Sequence, residues 1–221
     1  MQWEAVREIV PLLPAARMSP MPKKLSAQAR ARKIKVLLFD VDGVLTDGKL
    51  YFFPDRERNR QGSAELSAQG SIEFKGFHAH DGLAISLARL GALRTGLITK
   101  RYSETVALRA RDLKLEFVRQ GIQDKATAFK EIVQEAGVGV DQTAFVGDDV
   151  VDLPAMRAAG LAIAVRNARA EVKNEAHYIT PNAGGAGALR DAVEFILKAQ
   201  GKWKAIVEAY IGERRPEKIL Q

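Results

Sequence analysis

From Ile34 onward, short apolar runs alternate with amphipathic ones, a pattern that predicts strands separated by helices. The first run, IKVLLF over 34–39, is apolar almost throughout, as expected of a strand buried on both faces. Helical spacing of apolar positions predicts a helix over 81–92, and RTGLIT predicts a strand over 94–99. The same reading gives a helix over 103–113, a weaker strand over 115–120, a helix over 124–137 and a strand over 142–147. A helix over 152–160 follows, with Asp152 as its N-cap and Gly160 past its end, and then a strand over 161–165. A helical turn, a short YIT strand and a helix over 189–199 complete the series. The fold class expected is α/β, a doubly wound, Rossmann-like, mostly parallel sheet with helices on both faces.

One stretch breaks the alternation. KLYFF (49–53) and SIEFKGF (71–77) are strand-like runs separated by a polar, glycine-containing segment, which predicts a projecting β-hairpin with a long mobile tip near 54–70. At the C-terminal end, Trp203, Ile206, Val207 and Tyr210 recur at helical spacing, predicting a packing helix.

Composition narrows the class. A chain of 221 residues with 47% hydrophobic side chains supports one well-buried domain and argues against a disordered or fibrous chain. No run approaches the roughly 18 apolar residues of a membrane span. The absence of cysteine removes disulfides, thiolate zinc sites and cysteine nucleophiles from consideration, and fits a cytoplasmic location.

The net charge of +7 suggests an acidic polymer as partner until its distribution is counted. Residues 1–35 carry eight Lys/Arg against two Glu, and residues 198–221 carry six basic against three acidic side chains. The body between them holds 20 basic and 22 acidic residues. Nucleic acid is therefore not the expected partner, all the more because no basic stripe is interleaved with aromatics. The organisation expected is a flexible basic extension over 1–33, its second half a short helix or, preferably, a solvated arm. A globular unit over 34–199 with a hairpin insertion near 49–77 follows, and then a helix with a basic tail over 200–221.

In an open parallel sheet, ligands bind beyond the carboxyl ends of the strands. The polar residues there are Asp40, Asp42 and Thr46 after the first strand, Thr99 and Arg101 after the second, and Asp148, Asp149 and Asp152 after the fourth. Lys125 opens a helix, where a cation opposes the macrodipole, which suggests that it is held there for an anion. An aspartate cluster with no thiolate and few imidazoles suits a hard, oxygen-preferring ion such as Mg²⁺. Each residue also has a plainer reading: strand-end aspartates form turns and cap helices, and exposed arginines are the rule.

Four motifs, FDVDGVLTDG (39–48), LITKR (97–101), DK (124–125) and GDDVVD (147–152), occur in order and in register with the predicted strands. Together they resemble the motifs of the haloacid dehalogenase-like hydrolases, over roughly residues 34–199. Within them, the LTDG continuation, the hairpin in place of a cap domain and FHAHDG (77–82) resemble the 3-deoxy-D-manno-octulosonate 8-phosphate phosphatase group and relatives acting on nine-carbon sugar acid phosphates.

The resemblance implies an Mg²⁺-dependent phosphatase in which Asp40 is the nucleophile and Asp42 the general acid and base. Asp40, the Asp42 carbonyl and Asp148 would hold the metal, with Asp149 and Asp152 supporting. Lys125 and Thr99 would bind the phosphoryl group, and Arg101, Arg109, His78, His80, Asp81 and Gly82 would meet the substrate. It also implies a homotetramer built through the hairpins. His78 and His80, at i and i+2, would share one strand face; with His177 the only other histidine, a zinc site lacks ligands, and a pocket-mouth position is expected. His80, Lys100 and Ser86 stand where that group commonly has Arg, Gly and Arg, which leaves the phosphoryl chemistry intact and touches substrate recognition.

Overall fold

The computed structural model describes residues 25–54 and 71–213. Strands β1 (Val36–Phe39), β4 (Arg94–Ile98), β5 (Phe117–Arg119), β6 (Thr143–Gly147), β7 (Leu161–Ala164) and β8 (Tyr178–Ile179) form one sheet in the order β5-β4-β1-β6-β7-β8. Every pairing in this sheet is parallel. A separate antiparallel hairpin consists of β2 (Tyr51–Pro54) and β3 (Ser71–Phe74). The tip predicted over 54–70 lies, from residue 55 onward, outside the described residues, as do the first 24 residues and the basic tail after 213.

The helices are α1 (Ala27–Ala31), α2 (Ala79–Leu90), α3 (Glu104–Asp112), α4 (Lys125–Ala136), α5 (Leu153–Ala158), α6 (Ala170–Glu175), α7 (Ala188–Ala199) and α8 (Trp203–Glu213). Helices α1, α2, α7 and α8 pack with one another, while α5 packs with α4 and α6. Right-handed crossovers explain the division, because the chain moves from β1 toward β5 and then crosses back to β6, β7 and β8, which switches the covered face. Between these layers Phe39, Phe117, Phe129 and Phe145 are fully buried. Each such side chain contributes about 1.5–3 kcal/mol of transfer free energy. Among the described residues no helix is long and apolar enough to cross a membrane.

Three local expectations differ from the structure. Part of the basic N-terminal stretch read as a solvated arm is instead helix α1, docked against α7 with Ala31 fully buried. Ser26 caps it and Arg30 donates to the Gly160 carbonyl at 2.7 Å. Asp152 occupies the N-cap position of α5 but makes no side-chain cap bond; its carboxylate turns back toward the sheet edge. His78 and His80 lie on no strand: His78 caps α2 by accepting from the His80 backbone N–H, and His80 falls in the first turn.

Candidate active site

The order of strands reverses beside β1, which lies between β4 and β6, and this opens the crevice where ligands bind in such sheets. Phe39 is in register with Leu97 on one side and Val146 on the other, so Asp40, Thr99 and Asp148 leave the sheet side by side. Asp40 is anchored at both ends, its backbone N–H donating to the Val146 carbonyl at 3.1 Å and its Oδ1 accepting from the Val41 N–H at 2.7 Å. The chain then makes a wide turn over Val41–Leu45 in which Gly43 has φ +88°. A Cβ at Gly43 would lie 2.1 Å from Asp148 Oδ2, so only glycine lets the turn approach β6 this closely.

Lys125 and Asp152 supply the charge balance. Lys125, the first residue of α4, is buried, with Nζ 2.9 Å from Asp40 Oδ2 and 2.6 Å from Asp152 Oδ1. The anions that hold this cation at a helix start thus include the protein's own carboxylates. Burial opposes the ammonium, but Asp40 and Asp152 outweigh it and raise its pKa above the usual lysine value. Asp152 is fully buried, and its Oδ2 accepts from the backbone N–H groups of Asp148 at 2.9 Å and Asp149 at 3.4 Å. One carboxylate therefore fixes both the lysine and the loop after β6.

Carboxylate oxygens of Asp40, Asp148 and Asp152 lie within 4.8 Å of one another. Burial, then the Asp152 charge, raise Asp40 to about 6 against the pull of Lys125. Burial, then Asp152, Asp40 and Asp149, push Asp148 up to about 7. Among the described residues nothing donates a hydrogen bond to the Asp148 carboxylate. One lysine for three crowded carboxylates leaves negative charge uncompensated, and an all-oxygen donor set fits a divalent cation of the Mg²⁺ type.

Asp42 faces a different group of partners. Its Oδ1 accepts from Lys75 Nζ at 2.5 Å, and its Oδ2 is 3.6 Å from Arg101 Nε. Both cations also contact Glu73 Oε1, Lys75 at 3.4 Å and Arg101 at 3.3 Å. Thr99 is buried at the end of β4, with its backbone N–H bonded to the Arg119 carbonyl.

The remaining candidates have other partners. Asp81 is fully buried, and its oxygens accept from the backbone N–H groups of Gly187 at 3.2 Å and Arg190 at 2.9 Å, which makes it a cap for α7. Gly82 lies where a Cβ would meet Arg109 Nη2 at 2.5 Å. The Arg109 guanidinium stacks 5.5 Å from the Phe77 ring and pairs with Asp112, so in this chain it ties the segment before α2 to α3. Asp149 is exposed and accepts from the Val150 N–H at 2.7 Å, capping its own turn without touching Lys125. The imidazoles of His78 and His80 stand 4.8 Å apart, with His80 exposed. Beside them a cavity of about 320 Å³ lies between Asp47, Tyr51, Phe74, Phe77, His78 and Gly185. A cavity of about 650 Å³ near Arg32, Lys35, Gln142 and Lys202 lies at the opposite end of the sheet, where β1 and β6 begin.

Three contributors are absent from the sequence reading. Lys75 and Glu73 sit on a run read only as a strand, where charges look like a solvated face. The NAGGAG segment packs against the Asp40 turn so closely that a Cβ at Gly184 would lie 1.7 Å from the Gly43 carbonyl oxygen. Its paired glycines were the available signal.

A family profile described as haloacid dehalogenase-like hydrolase matches residues 24–190. The chain belongs to this family. Among hydrolases of this family that it resembles, the 3-deoxy-D-manno-octulosonate 8-phosphate phosphatase of Haemophilus influenzae is 37% identical over 175 residues, 79% of this chain and 89% of the relative. The crystal structure of the enzyme of that name from Moraxella catarrhalis, in complex with magnesium, phosphate and a KDO molecule, is 33% identical with a TM-score of 0.73. The match covers 83% of this chain and 97% of that one. The Yersinia pestis structure gives a TM-score of 0.71 at 33% identity, covering 80% and 88%. As a haloacid dehalogenase-like hydrolase, the chain has its aspartates, threonine and lysine at the strand ends and helix start where the four motifs fall.

Proposed function

We propose that this protein is an Mg²⁺-dependent phosphomonoesterase that hydrolyses 3-deoxy-D-manno-octulosonate 8-phosphate in the cytoplasm. The observation that carries the reading is the cluster of buried Asp40 and Asp152 with half-buried Asp148, and Lys125 between the first two, at the switch point of the sheet. The similarity to sugar acid phosphatases over most of both chains supports the substrate.

Asp40, Asp148 and the Asp42 main-chain carbonyl would hold the cation, while Asp152 holds Lys125 and the loop after β6. When bound, Mg²⁺ supplies charge neutralisation at the phosphoryl oxygens, which lets a carboxylate approach a phosphate dianion. An Asp40 oxygen attacks phosphorus as the bond from phosphorus to the sugar oxygen breaks, and Asp42 gives its proton to that oxygen. A water then attacks the aspartyl-phosphate, its proton passes to Asp42, and the bond between Asp40 and phosphorus breaks. Lys125 and the Thr99 hydroxyl stabilise the phosphoryl oxygens. Arg101, His78 and His80 contact the sugar acid at the pocket mouth. The apolar hairpins assemble a tetramer that closes each site. His80 and Ser86, in place of arginines, motivate the second substrate reading: the same chemistry on a nine-carbon sugar acid phosphate or another small phosphorylated metabolite.

Phosphate release from eight- and nine-carbon sugar acid phosphates and from ordinary sugar phosphates, with Mg²⁺ or EDTA, tests the reading. Release that is strongest on the eight-carbon acid and abolished by EDTA is expected. Activity indifferent to EDTA overturns the mechanism, and preference for a non-acid sugar phosphate overturns the substrate.

A further inference from the structure

We infer that Lys75, held by Glu73, is a positioning residue for Asp42 and ties the base of the hairpin to the reacting groups. The inference rests on the reading of Asp42 as the acid and base of phosphoryl transfer.

The placement follows from strand periodicity. Alternate residues of β3 and its continuation face opposite ways, so Ile72 and Phe74 project outward, 58% and 59% exposed, while Glu73 and Lys75 turn inward. The Lys75 side chain is only 1% exposed, an uncommon position for lysine, and it has two carboxylate partners, Asp42 Oδ1 at 2.5 Å and Glu73 Oε1 at 3.4 Å. Glu73 is fixed in turn by Ser103 Oγ, by Arg101 Nη2 at 3.3 Å and through its carbonyl by Thr105 Oγ1 at 3.2 Å. Burial disfavours its charge, but the hydrogen bond from Ser103 and the cations outweigh that and hold its carboxyl below the usual value.

The two oxygens of Asp42 thus face two different cations, and both cations share Glu73. Two positive and two negative groups close a ring of no net charge. The ring is neutral while Asp42 is ionised, its state for taking the proton from water; as the acid, Asp42 carries the proton on Oδ2, where the Arg101 contact at 3.6 Å is the looser one, and Lys75 still holds Oδ1. A single cation would leave the Asp42 side chain free to turn about its last bond; one cation on each oxygen fixes the plane. Proton transfer depends steeply on that geometry, and a misplacement of about 1 Å costs on the order of 100-fold. Lys75 does not touch the reacting atoms, so its effect passes through Asp42.

The readout is the dependence on leaving group. A sugar alkoxide needs a proton from Asp42 as it departs, whereas p-nitrophenolate does not. In single turnovers, which read transfer to Asp40 before the hydrolysis step that uses Asp42 with either substrate, Lys75→Met should slow sugar release from 3-deoxy-D-manno-octulosonate 8-phosphate by about 10- to 100-fold at saturating substrate, and slow p-nitrophenol release from p-nitrophenyl phosphate far less. Glu73→Gln should give the same split in weaker form, and Lys75→Arg, which keeps the charge, should restore part of the lost rate. Equal losses on both substrates in Lys75→Met and in Glu73→Gln would mean a merely structural role and overturn the inference. Asp42→Asn separates the two layers. If it shows the split and the Lys75 variants do not, the positioning role fails alone; if it shows none, the reading of Asp42 fails first.

Discussion

Lys125 Nζ stands 2.9 Å from Asp40 Oδ2 in a site that excludes nearly all solvent from both side chains. Removing one partner of a buried ion pair leaves the other charge stranded, at a cost of about 3–5 kcal/mol. Lys125→Met is therefore expected to lower the metal-free protein's stability by that order, read from chemical denaturation, and to reduce phosphate release by about 100-fold or more. Lys125→Arg should rescue neither, because a planar fork does not fill the place of a compact ammonium between two carboxylates.

Asp81 separates capping from substrate binding. Its oxygens serve the Gly187 and Arg190 N–H groups at the start of α7. Asp81→Ala should cost about 1–3 kcal/mol in denaturation midpoint experiments while KM stays unchanged. A large rise in KM with native stability would instead place Asp81 at the substrate.

The raised carboxyls give the metal-free protein a signed pH dependence. Asp148 at about 7 and Asp40 at about 6 both stand above their ordinary value of 3.8, so the folded state binds protons more tightly than the unfolded state. Stability is then undiminished below the unfolded pKa and falls as pH rises toward the folded values. In EDTA the melting temperature should drop between about pH 4 and about pH 7, and Mg²⁺ should raise it more at the higher pH. An equal Mg²⁺ effect at both would contradict the crowded-carboxylate account.

Phe53 and Ile72 are opposed across the hairpin, and each is 58% exposed. A two-stranded ribbon with this much apolar surface is marginal alone and suits an intersubunit contact. Light scattering should report a tetramer for the native chain and a smaller species for the Phe53→Glu/Ile72→Glu double variant. A native monomer would refute assembly through the hairpin.

What the sequence made legible was whatever local pattern controls. The apolar run of β1 and the polar residues ending each strand predicted the crevice, and the opposition of Lys125 to its helix dipole predicted a bound anion. What it hid were contacts between distant segments. Asp152 reads as an N-cap, with its support of the lysine implied by the resemblance alone; besides the buried lysine 27 positions earlier, two backbone N–H groups claim its oxygens. Asp81 reads as part of a substrate motif, but its partners lie more than 100 residues away. Lys75 and Glu73 pass unmarked inside a strand-like run, because nothing local reveals that the hairpin base folds back onto Asp42. The basic arm reads as solvated, although α7 offers Ala31 an apolar site.

The central claim is covalent transfer to Asp40. Acid quenching during turnover of 3-deoxy-D-manno-octulosonate 8-phosphate with Mg²⁺, followed by peptide mass analysis, reads it directly. A phosphoryl group on Asp40, absent from an inactive Asp40→Asn, is the predicted result. An Asp40→Asn protein that releases phosphate at the native rate, with no phosphoryl group on Asp40 in the native chain, would contradict it.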